Sequence, residues 1–281
     1  MNLQKALQYG QKLLKEHAIE TYQLDAEILL LKATNLTKTE LYCKPDLEIN
    51  AKNYQVFLDL LAERLKFKPI SKIIGSKEFY SLDFITTTDT LDPRADTETL
   101  IDACQKLLNP NKIYNFLELG TGTGCIIITL LKIFNVSRGT SRDISKEALI
   151  IAKRNSLIHQ VEERLSLELA NMFDGLQQRY DLIISNPPYI KTAELDILAP
   201  EVKYFDPNLA LDGGADGLDY YRIISRNSKN HLTENGVVVL EIGYQQAVVV
   251  KEILYQENFT IIEEFKDLAG HIRCLACKAN S

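Results

Sequence analysis

The sequence has no hydrophobic run that approaches the length of a membrane span, and its first residues are not the continuous apolar stretch of a secretory signal. Cysteine is scarce. The five residues are odd in number and scattered at positions 43, 104, 125, 274 and 277, which excludes a disulfide framework and favours a reducing compartment. The four histidines have no metal-ligand spacing. We therefore expect a cytoplasmic protein that holds no metal and does not enter a membrane.

The sequence also lacks an excess of positive charge. Its 32 lysines and arginines stand against 38 aspartates and glutamates, which gives a net charge of -6. A protein that neutralises many phosphates of duplex DNA needs the opposite balance, so direct nucleic-acid binding is not expected and a protein partner is favoured. A hydrophobic content of 46% with 25% charged residues is that of an ordinary globular protein, and 281 residues suffice for one large domain and a small one.

The first 72 residues carry the spacing of apolar residues that is typical of helices, with Asn50 as the predicted N-cap of the last helix. This predicts a helical domain that either recognises a partner or only stabilises the chain. Residues 73–90 alternate as a β-hairpin does and predict a linker. Asp96 or Thr97 is the predicted N-cap of a helix over residues 100–108, near the start of a larger domain that covers residues 91–281.

A glycine-rich turn follows the first strand of the larger domain. The segment from Gly120 to Cys125 reads Gly-Thr-Gly-Thr-Gly-Cys and leads into an apolar helix, which is a place where a nucleotide-like ligand can approach the backbone. A dinucleotide fingerprint needs a third glycine where Cys125 stands, so the spacing excludes it. Asp143, about 20 residues on, could bind ribose hydroxyls. The polar segment 136–142 before it is only a weak strand prediction.

Further strands are predicted over residues 165–169 and 181–185, with helices over 145–158, 218–232 and 245–256 and later strands over 236–243, 260–265 and 272–278. This alternation predicts an α/β fold with a doubly wound, mostly parallel sheet, whose ligand loops meet at the carboxyl ends of the strands. The polar segment 201–217 could cover the substrate. The lone CxxC at 274–277 lies in an apolar alternation, so we interpret it as part of a terminal strand and not as a zinc or redox site.

The loop after residue 185 reads Asn186-Pro187-Pro188-Tyr189. Two prolines stiffen it, and the Asn186 side-chain carbonyl and Pro187 backbone carbonyl are acceptors that could hold both N–H bonds of a planar NH2 group, with Tyr189 against its face. The alternative is a stiff loop that only ends a strand. The sequence shows no His, Lys or second carboxylate near this loop that could serve as a general base.

These motifs together resemble class I S-adenosylmethionine-dependent methyltransferases, and the Asn-Pro-Pro-Tyr loop is similar to that of enzymes that methylate planar nitrogens. The likeness is closer to the peptide chain release factor glutamine methyltransferases, because further residues of that family's pattern occur here in the same order. These are Arg64, Pro69, Ile73-Ile74-Gly75, Glu78-Phe79, Pro93-Arg94, Asp96-Thr97-Glu98 and the segment from Ala210 to Gly214.

The resemblance implies a Rossmann-like methyltransferase domain that uses S-adenosylmethionine to methylate the glutamine amide nitrogen of the Gly-Gly-Gln motif in release factors. The cofactor-binding residues that it implies are Glu118, Gly120, Thr121, Gly122, Gly124, Asp143, Asn171, Met172 and Asn186. The implied substrate-binding residues are Asn186, Pro187, Pro188 and Tyr189, and those with a catalytic role are Asn186, Pro187 and Tyr189.

The sequence departs from the family pattern where Asp92 replaces an aliphatic residue, where Asn171 replaces an aspartate, where Phe205-Asp206-Pro207 replaces a Glu-Pro pair, and in the polar Thr140-Ser141-Arg142. Three alternatives stay open at this point. They are a glutamine methyltransferase that acts on a ribosomal protein, a nucleic-acid base methyltransferase, which the negative charge disfavours, and a nucleotide-binding interaction protein without activity.

Overall fold

The computed structural model describes residues 1–280. Eleven α-helices occur there: α1 Leu3–Glu16, α2 Tyr22–Thr34, α3 Lys38–Cys43, α4 Ala51–Leu65, α5 Ile70–Ile74, α6 Glu98–Leu107, α7 Cys125–Ile133, α8 Lys146–Ile158, α9 Pro200–Lys203, α10 Asp219–Ser228 and α11 Ala247–Gln256. The nine strands of the same residues are β1 Ser76–Phe79, β2 Leu82–Ile85, β3 Asn115–Leu119, β4 Arg138–Asp143, β5 Leu165–Leu169, β6 Tyr180–Ser185, β7 Leu232–Glu241, β8 Phe259–Lys266 and β9 Ile272–Ala279.

The chain forms two units, and the first combines Met1–Ser76 with a second piece, Ala199–Phe205. Its core is a set of buried leucines, alanines and Phe57 from α1, α2, α3 and α4, together with Ile19. As predicted, Asn50 caps α4, because its side chain accepts a hydrogen bond from the Asn53 N–H at 2.8 Å. The predicted division into 1–72, 73–90 and 91–281 stays a prediction.

A buried arginine joins the two pieces of this first unit. The Arg64 side chain is 4% exposed and lies 2.6 Å from Asp25 of α2 and 2.5 Å from Glu201 of α9. Its guanidinium also donates to the Lys68 carbonyl at 3.2 Å. A buried arginine without partners would destabilise the fold. The carboxylates of Asp25 in α2 and Glu201 in α9 together neutralise the charge of Arg64.

The second unit contains a seven-stranded sheet in the order β5-β4-β3-β6-β7-β9-β8. All pairs from β5 to β7 are parallel, and β9 runs antiparallel to both of its neighbours. The prediction of a doubly wound, mostly parallel sheet is confirmed. Strands β1 and β2 form the separate two-stranded sheet that was predicted as a hairpin.

Strand β4 was only weakly predicted, yet it lies between β3 and β5 and is buried over most of its length. Gly139 faces the Ile127 side chain so closely that a Cβ there would lie 2.8 Å from it. The glycine therefore lets α7 approach the sheet. Glycine has a low strand propensity, so a prediction from propensity alone disfavours a strand at this position.

Strand β7 was predicted from 236 to 243 but runs from Leu232 to Glu241, because Leu232 already pairs with Tyr180 of β6, ahead of a register shift that precedes Val237. Cys274 and Cys277 lie in β9, as predicted, and burial raises the pKa of both thiols. Among residues 1–280, no helix is both long and apolar enough to cross a bilayer.

Candidate active site

The register of four parallel strands sets out one row of residues at the carboxyl edge of the sheet. Arg142, Leu119, Ser185 and Leu240 are partners across β4, β3, β6 and β7. The residue after each of them is therefore next in line, and these four are Asp143, Gly120, Asn186 and Glu241. Parallel sheets bind ligands at this edge.

The glycine loop lies against Asp143 in this row. The Gly120 N–H donates to the Arg142 carbonyl at 2.8 Å, and the Gly122 N–H donates to Asp143 Oδ2 at 2.9 Å. Gly120 and Gly122 have φ of 80° and 53°, a region that glycine enters without strain. A Cβ on Gly122 would meet nothing within 4 Å, so this part of the loop borders open space.

Arg142 is a buried charged residue near the end of β4, and its partners account for its presence there. Its two terminal nitrogens donate to the Met172 and Asp174 carbonyls, each at 2.6 Å, and its Nε lies 3.0 Å from Glu168. The arginine thus fixes the loop that follows β5, in which Met172 has a φ of 46°. This accounts for part of the polar departure at residues 140–142.

Glu118 is fully buried and accepts a hydrogen bond from the Ser141 hydroxyl, which also lies 2.8 Å from Thr121 Oγ1. Its other oxygen, Oε1, has no partner among the described residues. Burial, with a smaller effect of the Asp143 charge, raises the pKa of Glu118 to about 8. The carboxyl therefore favours its neutral form in the absence of a nearby cation.

Asn186 is held by Thr97. Its Nδ2 donates to Thr97 Oγ1 at 3.1 Å, which leaves the side-chain carbonyl oxygen as the end that is not tied. The expected capping role of Thr97 is wrong. It occupies the N-cap position of α6, but it is the last residue of the 3₁₀ turn Ala95–Thr97, has helical φ and ψ, and makes no capping hydrogen bond.

The rest of the Asn-Pro-Pro-Tyr loop lies against the segment 211–217. The Ile190 N–H donates to the Leu211 carbonyl at 3.0 Å, and the Gly213 N–H donates back to the Ile190 carbonyl at 2.7 Å. A Cβ on Gly213 would lie 2.8 Å from the Pro188 carbonyl oxygen, so only glycine fits there without a shift. Burial raises the pKa of the Tyr189 hydroxyl to about 12, so it stays protonated.

A cavity opens at this edge, and most of the site residues implied by the sequence line it. They are Gly120, Thr121, Gly122, Asp143, Asn171, Met172, Asn186, Pro187 and Pro188. Three others do not line it: Glu118 lies buried beneath, Gly124 packs against Ala152 at the start of α7, and the half-buried Tyr189 packs against the sheet core.

The remaining departures have partners in this unit. Asp92 lies at the cavity wall, where the Thr86 hydroxyl donates to it. Asp206, whose side chain is 1% exposed, pairs with Arg94 at 2.5 Å, and Arg94 also lines the cavity. Each acidic replacement is therefore neutralised or hydrogen-bonded, and neither stands as a bare buried charge.

Sequence reasoning missed Glu241, the fourth member of the edge row, and found no second carboxylate near the loop. The structure corrects this. Glu241 is 2% exposed, and burial raises its pKa to about 7, although Thr97, Arg273 and Asn186 act to lower it. The signal that could have found it is a glutamate at the end of the apolar second half of a strand.

Two family descriptions match the chain, a PrmC N-terminal domain over residues 5–75 and a methyltransferase small domain over residues 87–201. The release factor glutamine methyltransferase of Agrobacterium fabrum is 36% identical over 256 residues, which cover 90% of this chain and 89% of that protein. The chain belongs to the release factor glutamine methyltransferase family. The resemblance inferred from the motifs is thereby confirmed.

Other relatives of this release factor glutamine methyltransferase family member are longer. The bifunctional methyltransferase of Rickettsia bellii is 38% identical over 301 residues, 98% of this chain but 54% of that protein. The chain thus spans little more than half the length of such relatives. A methyltransferase structure from Pyrococcus furiosus, 20% identical, has a TM-score of 0.54 over 78% of this chain and 96% of that chain, which shows a shared fold.

The cavity fits the S-adenosylmethionine that a methyltransferase family implies. Asp143 accepts two backbone N–H bonds, and the remaining lone pairs of its carboxylate would be available to ribose hydroxyls. The exposed Asn171 would present its amide to an adenine edge, and Ile144 and Met172 would present apolar surface to the ring. The open space beside Gly122 leaves room for the backbone to be approached closely.

Proposed function

We propose that this protein methylates the side-chain amide nitrogen of the glutamine in the Gly-Gly-Gln motif of peptide chain release factors, with S-adenosylmethionine as methyl donor. The observation that carries the proposal is the hydrogen bond from Asn186 Nδ2 to Thr97. It leaves a carbonyl acceptor, and not an amide donor, for the substrate. The match of residues 5–75 to the N-terminal domain of this family supports a release factor as partner.

The reaction demands positioning, because an amide nitrogen is a weak nucleophile whose lone pair is delocalised into its carbonyl. The cofactor, when bound, supplies a methyl group that a positively charged sulfur makes electrophilic. The alignment of two bound reactants can lower a barrier by about 7–11 kcal/mol. The task of the protein side chains is therefore to fix the amide plane and to exclude other orientations.

Asn186 and Pro187 perform that task in our proposal. The Asn186 Oδ1 accepts one N–H of the glutamine amide and the Pro187 carbonyl accepts the other, which turns the face of the nitrogen toward the methyl group. Within residues 1–280, no backbone N–H donates to the Pro187 carbonyl. Tyr189, two residues further on, packs against the sheet core and does not line the cavity, so its role in the proposal is to hold the loop in place. After transfer, the nitrogen loses one proton to water.

We place the reaction in the cytoplasm, where release factors act. All five cysteines are free, which suits a reducing compartment. The substrate contact is with protein in this proposal, and no nucleic-acid surface is required.

The test mixes the protein with labelled S-adenosylmethionine and two release factors, one native and one with Gln→Ala in Gly-Gly-Gln. Label on the native factor alone is the expected result. Label on neither factor, with the cofactor still bound, would refute the proposal and direct the search to ribosomal proteins and then to a role without catalysis.

Asn186→Ala tests the assignment of the loop. It should abolish turnover while cofactor affinity, measured by calorimetry, persists, because the lost carbonyl serves the substrate. Asn111→Ala, an exposed asparagine in a turn, is the matched control and should leave turnover unchanged. A near-native rate in Asn186→Ala would contradict the role that we give to this side chain.

A further inference from the structure

We propose that Glu241 is a positioning residue that fixes which end of the Asn186 side chain faces the substrate, through the Thr97 hydroxyl. This inference rests on the proposed function and adds to it a residue that touches neither substrate nor cofactor. The edge row places Glu241 beside Asn186, because Ser185 and Leu240 are register partners. Glu241 does not line the cavity, so its action must pass through Asn186 and Thr97.

The carbonyl oxygen and the NH2 group of an asparagine side chain have nearly the same size, so packing alone does not determine which of them faces the substrate. Thr97 has one hydroxyl proton and can therefore accept from Asn186 while it donates elsewhere. Thr97 and Asn186 both act on the Glu241 carboxyl through hydrogen bonding that lowers its pKa, which indicates that both are its neighbours. An ionised carboxylate can only accept, so the chain of hydrogen bonds runs in one direction, from Asn186 through Thr97 to Glu241.

A second observation supports this reading. The Glu241 side chain is buried, and its Oε2 has no partner among residues 1–280, although a buried polar group without one is costly. Glu241 occupies the position in β7 that adjoins Asn186. The need for a hydrogen-bond acceptor at this position explains why a buried glutamate is found there. A neutral amide would fill the same space but could also donate, which would permit the reversed chain.

Glu241 also makes the orientation depend on pH. Burial raises its pKa to about 7, and a protonated carboxyl can donate and so reverse the chain. The titratable or charged groups that face it are Asp96, Arg273, Tyr189, Tyr221, Cys125 and Cys274. Arg273 is held 3.0 Å from Asp96, and burial keeps both tyrosines and both cysteines protonated near pH 7. The titration near pH 7 is therefore that of Glu241.

The first test is Glu241→Gln, with Glu234→Gln, at the exposed opposite end of β7, as control. Glu241→Gln should lower kcat about tenfold, the effect of one lost oriented hydrogen bond, with little change in the KM for the release factor or in cofactor affinity. The wild-type kcat should fall as the pH drops through 7, and this limb should vanish in the variant. A native kcat with a native pH profile would overturn the inference.

A double-mutant cycle separates positioning from packing. Thr97→Val removes the hydroxyl, so Thr97→Val combined with Glu241→Gln should be no slower than Thr97→Val alone, whereas independent packing defects would multiply. Thr97→Ser keeps the hydroxyl and should retain native kcat. Multiplying effects, or a slow Thr97→Ser, would refute the proposed chain.

The last measurement needs no substrate. The NH2 group of the Asn186 side chain, assigned by its loss in Asn186→Asp, should shift in nitrogen NMR spectra with a midpoint near pH 7 in the wild type and not in Glu241→Gln. A signal that is independent of pH in the wild type would overturn the inference even if release factors are methylated. A titrating signal together with no methylation would instead leave this inference standing and refute the proposed function.

Discussion

The buried Glu118 should make the folded protein less stable as the pH rises. Burial raises its pKa from the ordinary value of 4.5 to about 8, so between these values the folded state holds a proton that the unfolded state has lost. The contribution of Glu118 to the free energy of unfolding must then fall as the pH rises from 4.5 to 8. At about 1.4 kcal/mol per pH unit, the whole effect amounts to about 5 kcal/mol. Glu118→Gln cannot ionise and keeps an acceptor for Ser141, so it should remove this decline.

The assay is urea unfolding followed by circular dichroism from pH 4.5 to 8 at constant ionic strength, without cofactor. The wild type and Glu118→Gln should be close in stability at the acid end and diverge steadily toward pH 8, with the variant more stable there. Glu252→Gln, an exposed glutamate of α11, serves as control and should follow the wild type. Parallel curves for the wild type and Glu118→Gln would show that this carboxyl titrates alike in both states, and would refute the reasoning.

Two further substitutions test other parts of the second unit. The buried Asn155 accepts a hydrogen bond from the Ile85 N–H at 2.8 Å and donates one to the Thr123 carbonyl at 2.9 Å. Asn155→Ala should therefore lower the free energy of unfolding by about 2–3 kcal/mol. An unchanged urea midpoint would contradict this. Gly213→Ala would place a Cβ 2.8 Å from the Pro188 carbonyl and should slow turnover while calorimetry shows native cofactor affinity; a native rate would mean that the loop yields without consequence.

Local patterns predicted the strands whose residues serve only the sheet. Strand β5 was predicted with its observed ends, because its residues alternate and end at a polar loop. Strand β4 was not, because three of its residues serve other parts of the unit. Gly139 makes room for α7, Ser141 binds Glu118, and Arg142 holds the loop after β5. Those partners are distant in sequence, so no local rule could weigh them.

The candidate site divides in the same way. Residues on loops that follow strands were found from the sequence, because the carboxyl edge of a parallel sheet is where ligands bind. Thr97 and Glu241 were not. Thr97 resembles a helix cap, and only its hydrogen bond with Asn186, 89 residues away, shows its role. Glu241 lies on a strand that carries no motif, and only the register of β6 and β7 brings it to Asn186.

The division of the helical unit into Met1–Ser76 and Ala199–Phe205 limits how this protein can be recombined. A single cut after residue 76 would leave Arg64 in one fragment and Glu201 in the other, with the arginine lacking one of its two carboxylates. An exchange of N-terminal halves between relatives must therefore carry a compatible pair at these two positions. The helical unit is encoded by two separate segments of the chain. A chimaera that receives only Met1–Ser76 from a relative should therefore be less stable than either parent protein.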